Sequence, residues 1–399
     1  MTRRRGAVDA VLLEDVRARL AADRAGAGSH PPPSAVAAAL TEATAALGAR
    51  GVLDAIGVVT AHVTGAGPLQ PLLDEPGVTD VLVNGPGSVW VDRGDGPRRV
   101  DVHLGDEAAL RALAVRLAAV AGRRLDDASP YVDARLPDGV RLHAVLPPVS
   151  PEGTVLSLRV PRRRAFLLEE LADTGTVPPV WLPLLRRLVA ARLSFLVSGG
   201  TGCGKTTVLS TLLGLVAPTE RVVLVEDSGE LCPAHPHVVR LEARHGNAEG
   251  AGAVGLDDLV RQALRMRPDR IVVGECRGAE VRDLLAALNT GHEGGCGTVH
   301  ANTAADVPAR LEALGALAGL DRQALAAQAA SALDAVLHLT RDGGRRRLVE
   351  IALVTRAADG SLEVLPALTA DAGPTAPGRA GAGWPSLARR LGLDDRWPP

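Results

Sequence analysis

The sequence predicts an α/β fold, with a core on a mainly parallel sheet following a smaller α+β module and an N-terminal helical segment. Three observations carry this. From Leu193 onward, short apolar runs alternate with helical stretches, the pattern of strands covered by helices. A glycine-rich segment, Gly199 to Gly204, joins one such run to one such helix. Between Gly67 and Pro161, β-rich runs instead cluster around a single amphipathic stretch.

In chain order, residues 1–64 read as helical, with a break at Gly26 to Pro33, where three prolines remove helix donors. The α+β module spans 65–161. Val78 to Val83 and Ser88 to Asp92 read as strands around the turn Asn84-Gly85-Pro86-Gly87. Ala108 to Ala121 reads as a helix, and Pro137-Asp138-Gly139 as a turn between two strands, the second leading into Leu142 to Leu146. Val155 to Val160 is a further strand. Residues 162–179 read as a linker and 180–370 as the core. The core strands are Leu193 to Val197, Arg221 to Val225, Arg270 to Val273, Ala335 to Thr340 and Leu348 to Thr355. Its helices are Thr207 to Val216, Leu256 to Met266 and Ala279 to Leu288. The tail, 371–399, is rich in Pro, Gly and Ala and is expected to be poorly ordered.

Composition narrows the function. At 399 residues, 46% of them hydrophobic, the chain can hold two or three packed domains. A net charge of −2 argues against wholesale electrostatic binding of nucleic acid, so no direct nucleic-acid contact is expected. The runs Arg3-Arg4-Arg5, Arg162-Arg163-Arg164 and Arg345-Arg346-Arg347 are contact candidates or solvated surface charge. Cys203, Cys232, Cys276 and Cys296 form no C-x-x-C pair, which fits a reducing cytosol without structural zinc or disulfides. The most apolar long stretch, Val36 to Val63, carries Glu42, Arg50 and Asp54, so membrane association is expected only through partners. The basic N-terminus meets Asp9, Glu14 and Asp15 rather than an apolar core, unlike a secretory signal.

Gly199-Gly200-Thr201-Gly202-Cys203-Gly204-Lys205-Thr206-Thr207 names the chemistry, because it fits the G-x-x-x-x-G-K-[ST] loop between strand and helix. Glycines let backbone N–H groups wrap a polyphosphate at the positive end of a helix. Lys205 reaches the β- and γ-phosphates, and the Thr206 hydroxyl is placed to ligate Mg²⁺. The expected ligands are therefore ATP and Mg²⁺.

Carboxylates near the metal and the attacking water come from two strand ends. Glu275 is the first candidate to polarise water and Glu226 the second, with Asp227 acting on Mg²⁺ through water. His292 and His300 lie in the Gly-rich stretch Thr290 to Thr303, where ligand spacing does not support zinc. This stretch is expected to sense the γ-phosphate; a structural role for His292 is equally open.

Four segments occur in a recognisable order: the Gly199–Thr207 loop, the acidic box Glu226-Asp227-x-x-Glu230-Leu231, Leu264 to Glu275, and His292 to Thr303. Together they resemble the Walker A, acidic, Walker B and histidine boxes of type II and type IV secretion ATPases. Gly67-Pro68-Leu69, Val83-Asn84-Gly85-Pro86 and Ser129 to Gly139 are similar to the TadA/CpaF group of Tad (Flp) pilus assembly. The resemblance covers roughly Gly67 to Thr355. Mild departures are His143 for Asn, Val160 for Lys, Gly295-Cys296 for Ser-Leu and Cys203 for Ser. The tetracysteine zinc module of type II secretion ATPases is absent from the sequence, in keeping with the Tad-like group.

The resemblance implies a RecA-like P-loop core and an ATP-hydrolysing homohexamer, cytoplasmic and peripheral to the inner membrane, working on membrane platform proteins. It implies nucleotide binding between the two domains, with Arg135 and Arg141 as the favoured charge-neutralising arginines, ahead of Arg159, Arg240 and Arg244. His300 joins the catalytic candidates on the same ground. A conjugative type IV ATPase shares these boxes, and a non-hydrolysing nucleotide-dependent scaffold is the third reading.

Overall fold

The computed structural model describes residues 65–94, 96–161, 165–244, 252–371 and 378–393. The helical expectation for 1–64 lies outside them. The chain divides into two compact units, with the boundary between Pro161 and Arg162.

The first unit holds an antiparallel sheet of six strands ordered β3-β2-β1-β6-β5-β4. They are β1 (Asp80–Asn84), β2 (Val89–Asp92), β3 (Pro97–Val100), β4 (Tyr131–Arg135), β5 (Arg141–Val145) and β6 (Val155–Arg159). Helices α1 (Gln70–Leu73) and α2 (Glu107–Val120) accompany them. Period-two burial in β1, β5 and β6 sends Val81, Val83, Leu142, Ala144, Leu156 and Leu158 to one face, where Leu110, Ala114 and Leu117 of α2 cover them. Asp106 caps α2 by accepting from the Ala109 N–H at 2.9 Å. Both sequence-predicted turns form, with Gly85 and Gly139 at positive φ. Strand β3, unread in the sequence, has an exposed edge pattern and owes its form to pairing with β2.

In the second unit, α3 (Leu168–Asp173) and α4 (Leu182–Ala190) precede β7 (Phe195–Gly199) and α5 (Lys205–Leu213). Then follow β8 (Val222–Glu226), β9 (Val238–Glu242), α6 (Leu256–Ala263), β10 (Arg270–Cys276), α7 (Glu280–Leu288) and β11 (Cys296–Val299). Helices α8 (Val307–Leu317) and α9 (Arg322–Ala332) lead to β12 (Ala335–Asp342), β13 (Arg345–Arg356), β14 (Leu362–Thr369), β15 (Arg379–Ala380) and α10 (Trp384–Leu391). The nine-stranded sheet is ordered β15-β14-β13-β12-β7-β11-β10-β8-β9. Strands β12, β7, β11, β10, β8 and β9 are parallel neighbours, and β13 to β15 extend the sheet antiparallel. This is the expected α/β architecture with a mainly parallel sheet.

Strands β7 and β8 are buried throughout because both faces are covered. Phe195, Val197, Val222 and Leu224 face one core with α4, α5 and α10, while Leu196, Val223 and Val225 face the other with α6 to α9. The carboxyl ends of β7, β8, β10 and β11 therefore open on one edge, carrying Gly199, Glu226, Glu275 and His300.

Two sequence expectations need correction. The stretch read as a linker is packed into the second unit from Phe166 on: Leu168, Leu171 and Val177 are buried in its core, and the Leu348 N–H donates to Thr176 O at 2.7 Å. The tail expected to be poorly ordered is structured over 378–393, where α10 buries Trp384, Leu387, Ala388 and Leu391 against the sheet. Composition masked this because four apolar side chains at helical spacing suffice to bury the stripe.

Trp384 is 2% exposed, so Trp384→Ala is expected to destabilise the second unit by about 3–5 kcal/mol. Urea unfolding followed by circular dichroism measures it; a loss below about 1 kcal/mol would mean that α10 does not dock in solution.

Candidate active site

The phosphate loop forms as its glycines require. Gly199, Gly202 and Gly204 have φ of 148°, 71° and 96°. Gly199 also allows a close crossing, since a Cβ there would lie 2.4 Å from the Leu339 carbonyl oxygen and 2.6 Å from Cys203 Sγ. Cys203 is buried against the core, leaving only its backbone for a ligand; Gly200, Thr201 and Gly202 are exposed and Thr206 and Thr207 half-buried.

Lys205 opens α5 and is buried. Its ammonium has three N–H donors, and the Nζ lies 3.0 Å from Gly199 O, 3.0 Å from Gly200 O and 3.2 Å from His300 Nδ1. Burial holds its pKa below the ordinary value. An ammonium only donates, so His300 Nδ1 accepts, and the neutral ring carries its proton on Nε2. Burial, followed by the Lys205 charge, depresses the His300 pKa and favours that neutral form. His300 Nε2 lies 2.6 Å from Glu275 Oε1, an ion-pair distance without hydrogen-bond alignment. Glu275 Oε2 lies 2.5 Å from an Arg277 Nη, and this contact raises the Arg277 pKa. A continuous path thus runs Lys205–His300–Glu275–Arg277, and it unites the loop, the histidine box and the end of β10.

Glu226 plays a different part. It is 3% exposed, and its Oε1 accepts from the Glu230 and Leu231 N–H groups, both at 2.8 Å. Its Oε2 is buried without a hydrogen-bond partner, and Gly274 leaves the room its side chain occupies. Burial pushes the carboxyl up to about 7. This geometry fastens the acidic loop. Asp227 is exposed at the end of β8.

Arg135, Arg141 and Arg159 stand in one cross-strand row of the first unit, Arg135 opposite Arg141 and Arg141 opposite Arg159. Arg159 Nε lies 3.3 Å from Asp80 Oδ1. Arg240 is exposed on β9, and Arg244 Nε donates to Gly252 O at 2.6 Å. His292 Nδ1 lies 3.1 Å from Ala287 O, a structural contact. The departure at Gly295 is a packing demand, since a Cβ there would meet Leu288 Cδ2 at 2.4 Å.

Sequence reasoning missed Arg277, which carries no motif signal, and His338. Buried on β12, His338 places Nδ1 2.9 Å from Ser198 Oγ, next to the phosphate loop. It also missed the contact of Arg346 with that loop; the basic run was visible, its target was not.

The Glu226 carboxyl titrates at about 7 folded against an ordinary 4.5, so the fold favours its protonated form. Its contribution to stability is complete below about pH 4.5 and is lost as pH rises through 7. The unfolding free energy of wild type relative to Glu226→Gln is expected to fall by up to about 3 kcal/mol between pH 5 and 8. Denaturant melts without nucleotide check it; a pH-independent difference would refute the raised carboxyl.

Comparison with known proteins places this geometry. Residues 62–360 match the family of type II/IV secretion system proteins. A Mycobacterium tuberculosis (strain H37Rv) protein named for conjugal transfer is 58% identical over 334 residues, covering 82% of this chain and 95% of its own. The type IV secretion system protein PtlH of Bordetella pertussis is 35% identical over 313 residues, covering 71% and 92%. Among solved structures, the pilus retraction motor PilT with bound ADP has a TM-score of 0.54 at 21% identity, covering 73% of this chain and 83% of that one, a likeness of fold. The chain belongs to the family of type II/IV secretion system proteins, the secretion ATPases.

Proposed function

We propose that this protein is an ATP-hydrolysing motor subunit that works as a homohexamer beneath the inner membrane. The path Lys205–His300–Glu275–Arg277 carries the reading, because it ties a phosphate-binding lysine to a carboxylate held for proton abstraction. A non-hydrolysing scaffold has no use for that carboxylate. Lys205 and the loop amides bind the triphosphate, Glu275 accepts a proton from the attacking water, and His300 positions Glu275.

The residues present fit Mg²⁺. The Thr206 hydroxyl follows Lys205, and exposed Asp227 follows the orphaned Glu226 Oε2; Mg²⁺ needs only one or two protein oxygens beside phosphates and waters. Thr206 would hold the ion directly and Asp227 through water. Once bound, the ion would offset charge on the β- and γ-oxygens.

Arg135 and Arg141, the arginines that the family resemblance favours, are proposed to neutralise phosphoryl charge. Product release would then let the two units move as rigid bodies and drive membrane platform proteins. No helix among the described residues is long and apolar enough to cross a membrane.

The machine served is proposed to be a Tad/Flp-type pilus or protein-secretion apparatus, on the motifs of the first unit. A conjugal transfer motor is the second reading, favoured by the names of relatives such as the M. tuberculosis protein and the TrbB protein of Rhizobium radiobacter. Deleting the gene and complementing with wild type or Glu275→Gln separates the two: loss of surface pili supports the first, loss of DNA transfer alone the second.

Lys205→Ala and Glu275→Gln are each expected to lower steady-state ATP hydrolysis by about 100-fold or more, with Glu275→Gln still binding nucleotide. Light scattering on the same samples is expected to show hexamers with nucleotide. Wild type that binds ATP but never hydrolyses it, even with lipid and a platform protein, would overturn the motor reading.

A further inference from the structure

The tip of the β12–β13 hairpin lies on the phosphate loop. Arg346 Nε donates to Gly202 O at 3.0 Å. A side chain at Gly204 would come within 3.2 Å of Arg346 Cδ, and one at Gly202 within 3.3 Å of Arg341 Nη1. Arg341 and Arg346 are also cross-strand partners, so two guanidiniums oppose each other over the loop. Directly opposed like charges destabilise a sheet. Among the described residues, neither forms an ion pair with a carboxylate. A cavity of about 680 Å³ continues from this point, lined by Gly204 and Thr207 of the loop and by Asp342, Arg345, Arg346 and Arg347 of the hairpin, three cations to one carboxylate.

Opposed arginines that form no ion pair among the described residues, in a lining with more cations than carboxylates and beside amides that favour anions, make an electrostatic arrangement completed by a polyanion. An arginine has five donors in a planar fork; Arg346 spends Nε on Gly202 and directs the other nitrogens from a fixed point. We propose that Arg346, assisted by Arg341, is a second cationic arm of the nucleotide site, binding the phosphates of the nucleotide from the same unit that carries the phosphate loop. The inference rests on the nucleotide reading above. It adds a wall to the site that neither the loop motif nor the arginine row of the first unit supplies. It also gives the antiparallel extension of the sheet a use, because the turn back into β13 brings a second arginine, Arg346, onto the loop that Arg341 of β12 already approaches.

The test measures the dissociation constants of ATP and AMP, by displacement of a fluorescent ADP analogue, as a function of NaCl concentration. The proteins are wild type, Arg346→Ala, Arg346→Lys, Arg341→Ala and Lys205→Ala, each checked for an unchanged melting temperature without nucleotide. Arg346→Ala is expected to weaken ATP about tenfold and AMP far less. It is also expected to flatten the dependence of ATP affinity on salt, and Arg346→Lys to restore the slope. Arg341→Ala is expected to show the same pattern more weakly. A loop-shaping role alone would leave the salt slope unchanged. Equal ATP affinity in Arg346→Ala and wild type, or weaker binding with an unchanged salt slope, would overturn the inference while Lys205→Ala still loses ATP. Wild type that binds neither nucleotide would overturn the nucleotide reading, and this inference with it.

Discussion

The Lys205 ammonium is the point on which the site depends. Its three donors lie against two loop carbonyls and His300 Nδ1, so the cation proposed to meet a phosphate also sets the shape of the loop and the tautomer of the histidine. Because His300 accepts at Nδ1, its remaining proton is on Nε2, 2.6 Å from Glu275 Oε1 but not aligned for a hydrogen bond, and the other carboxylate oxygen is paired with Arg277. Gly199 makes this possible. Any side chain there would collide with the Leu339 carbonyl, so the loop passes close to β12 only with glycine at that point.

The frame for that cluster is the sheet. Because β7 and β8 bury side chains on both faces, their ends are held by two cores rather than one, and the groups at their carboxyl ends share one edge. The other ends are fastened by charge. Buried Arg270 begins β10, pairs with Glu220 at 2.9 Å and donates to the Val189 carbonyl at 2.9 Å. Arg192, at φ 55°, reaches the same Glu220 and the carbonyls of Asp269 and Glu293. A buried pair of this kind adds little net stability, but it ties the chain entering β11 to the start of β10. The strand carrying Glu275 and the strand leading to His300 therefore share one anchor.

Legibility in the sequence differed by the range of the interaction. The phosphate loop, the turn at Pro137-Asp138-Gly139 and helix α2 were readable because glycine φ preferences, proline geometry and helical period act within a few residues. The packing of Phe166 to Val177 and the docking of α10 were not, since burial depends on surfaces contributed from elsewhere in the chain. Strand β3 belongs with these: its exposed residues carry no period-two signal, and only its neighbour makes it a strand. The site shows the same division. Glu275 and Lys205 were visible as motif residues, whereas the fastening role of Glu226 follows from its burial under the Glu230 and Leu231 amides.

By itself the sequence determined which chemistry the chain holds: the glycines, lysine and threonine of a phosphate loop, carboxylates after strands, and a histidine-bearing stretch, all set by local backbone preference and side-chain type. The tertiary structure decided which of these groups meet. Lys205 and His300 are 95 residues apart in the chain, and they touch because β11 is inserted beside β7. Arg346 and Gly202 are 144 residues apart, and they touch because the hairpin folds back beside the same strand. Strand order is settled by the pairing and burial of whole surfaces, so no window of sequence holds it.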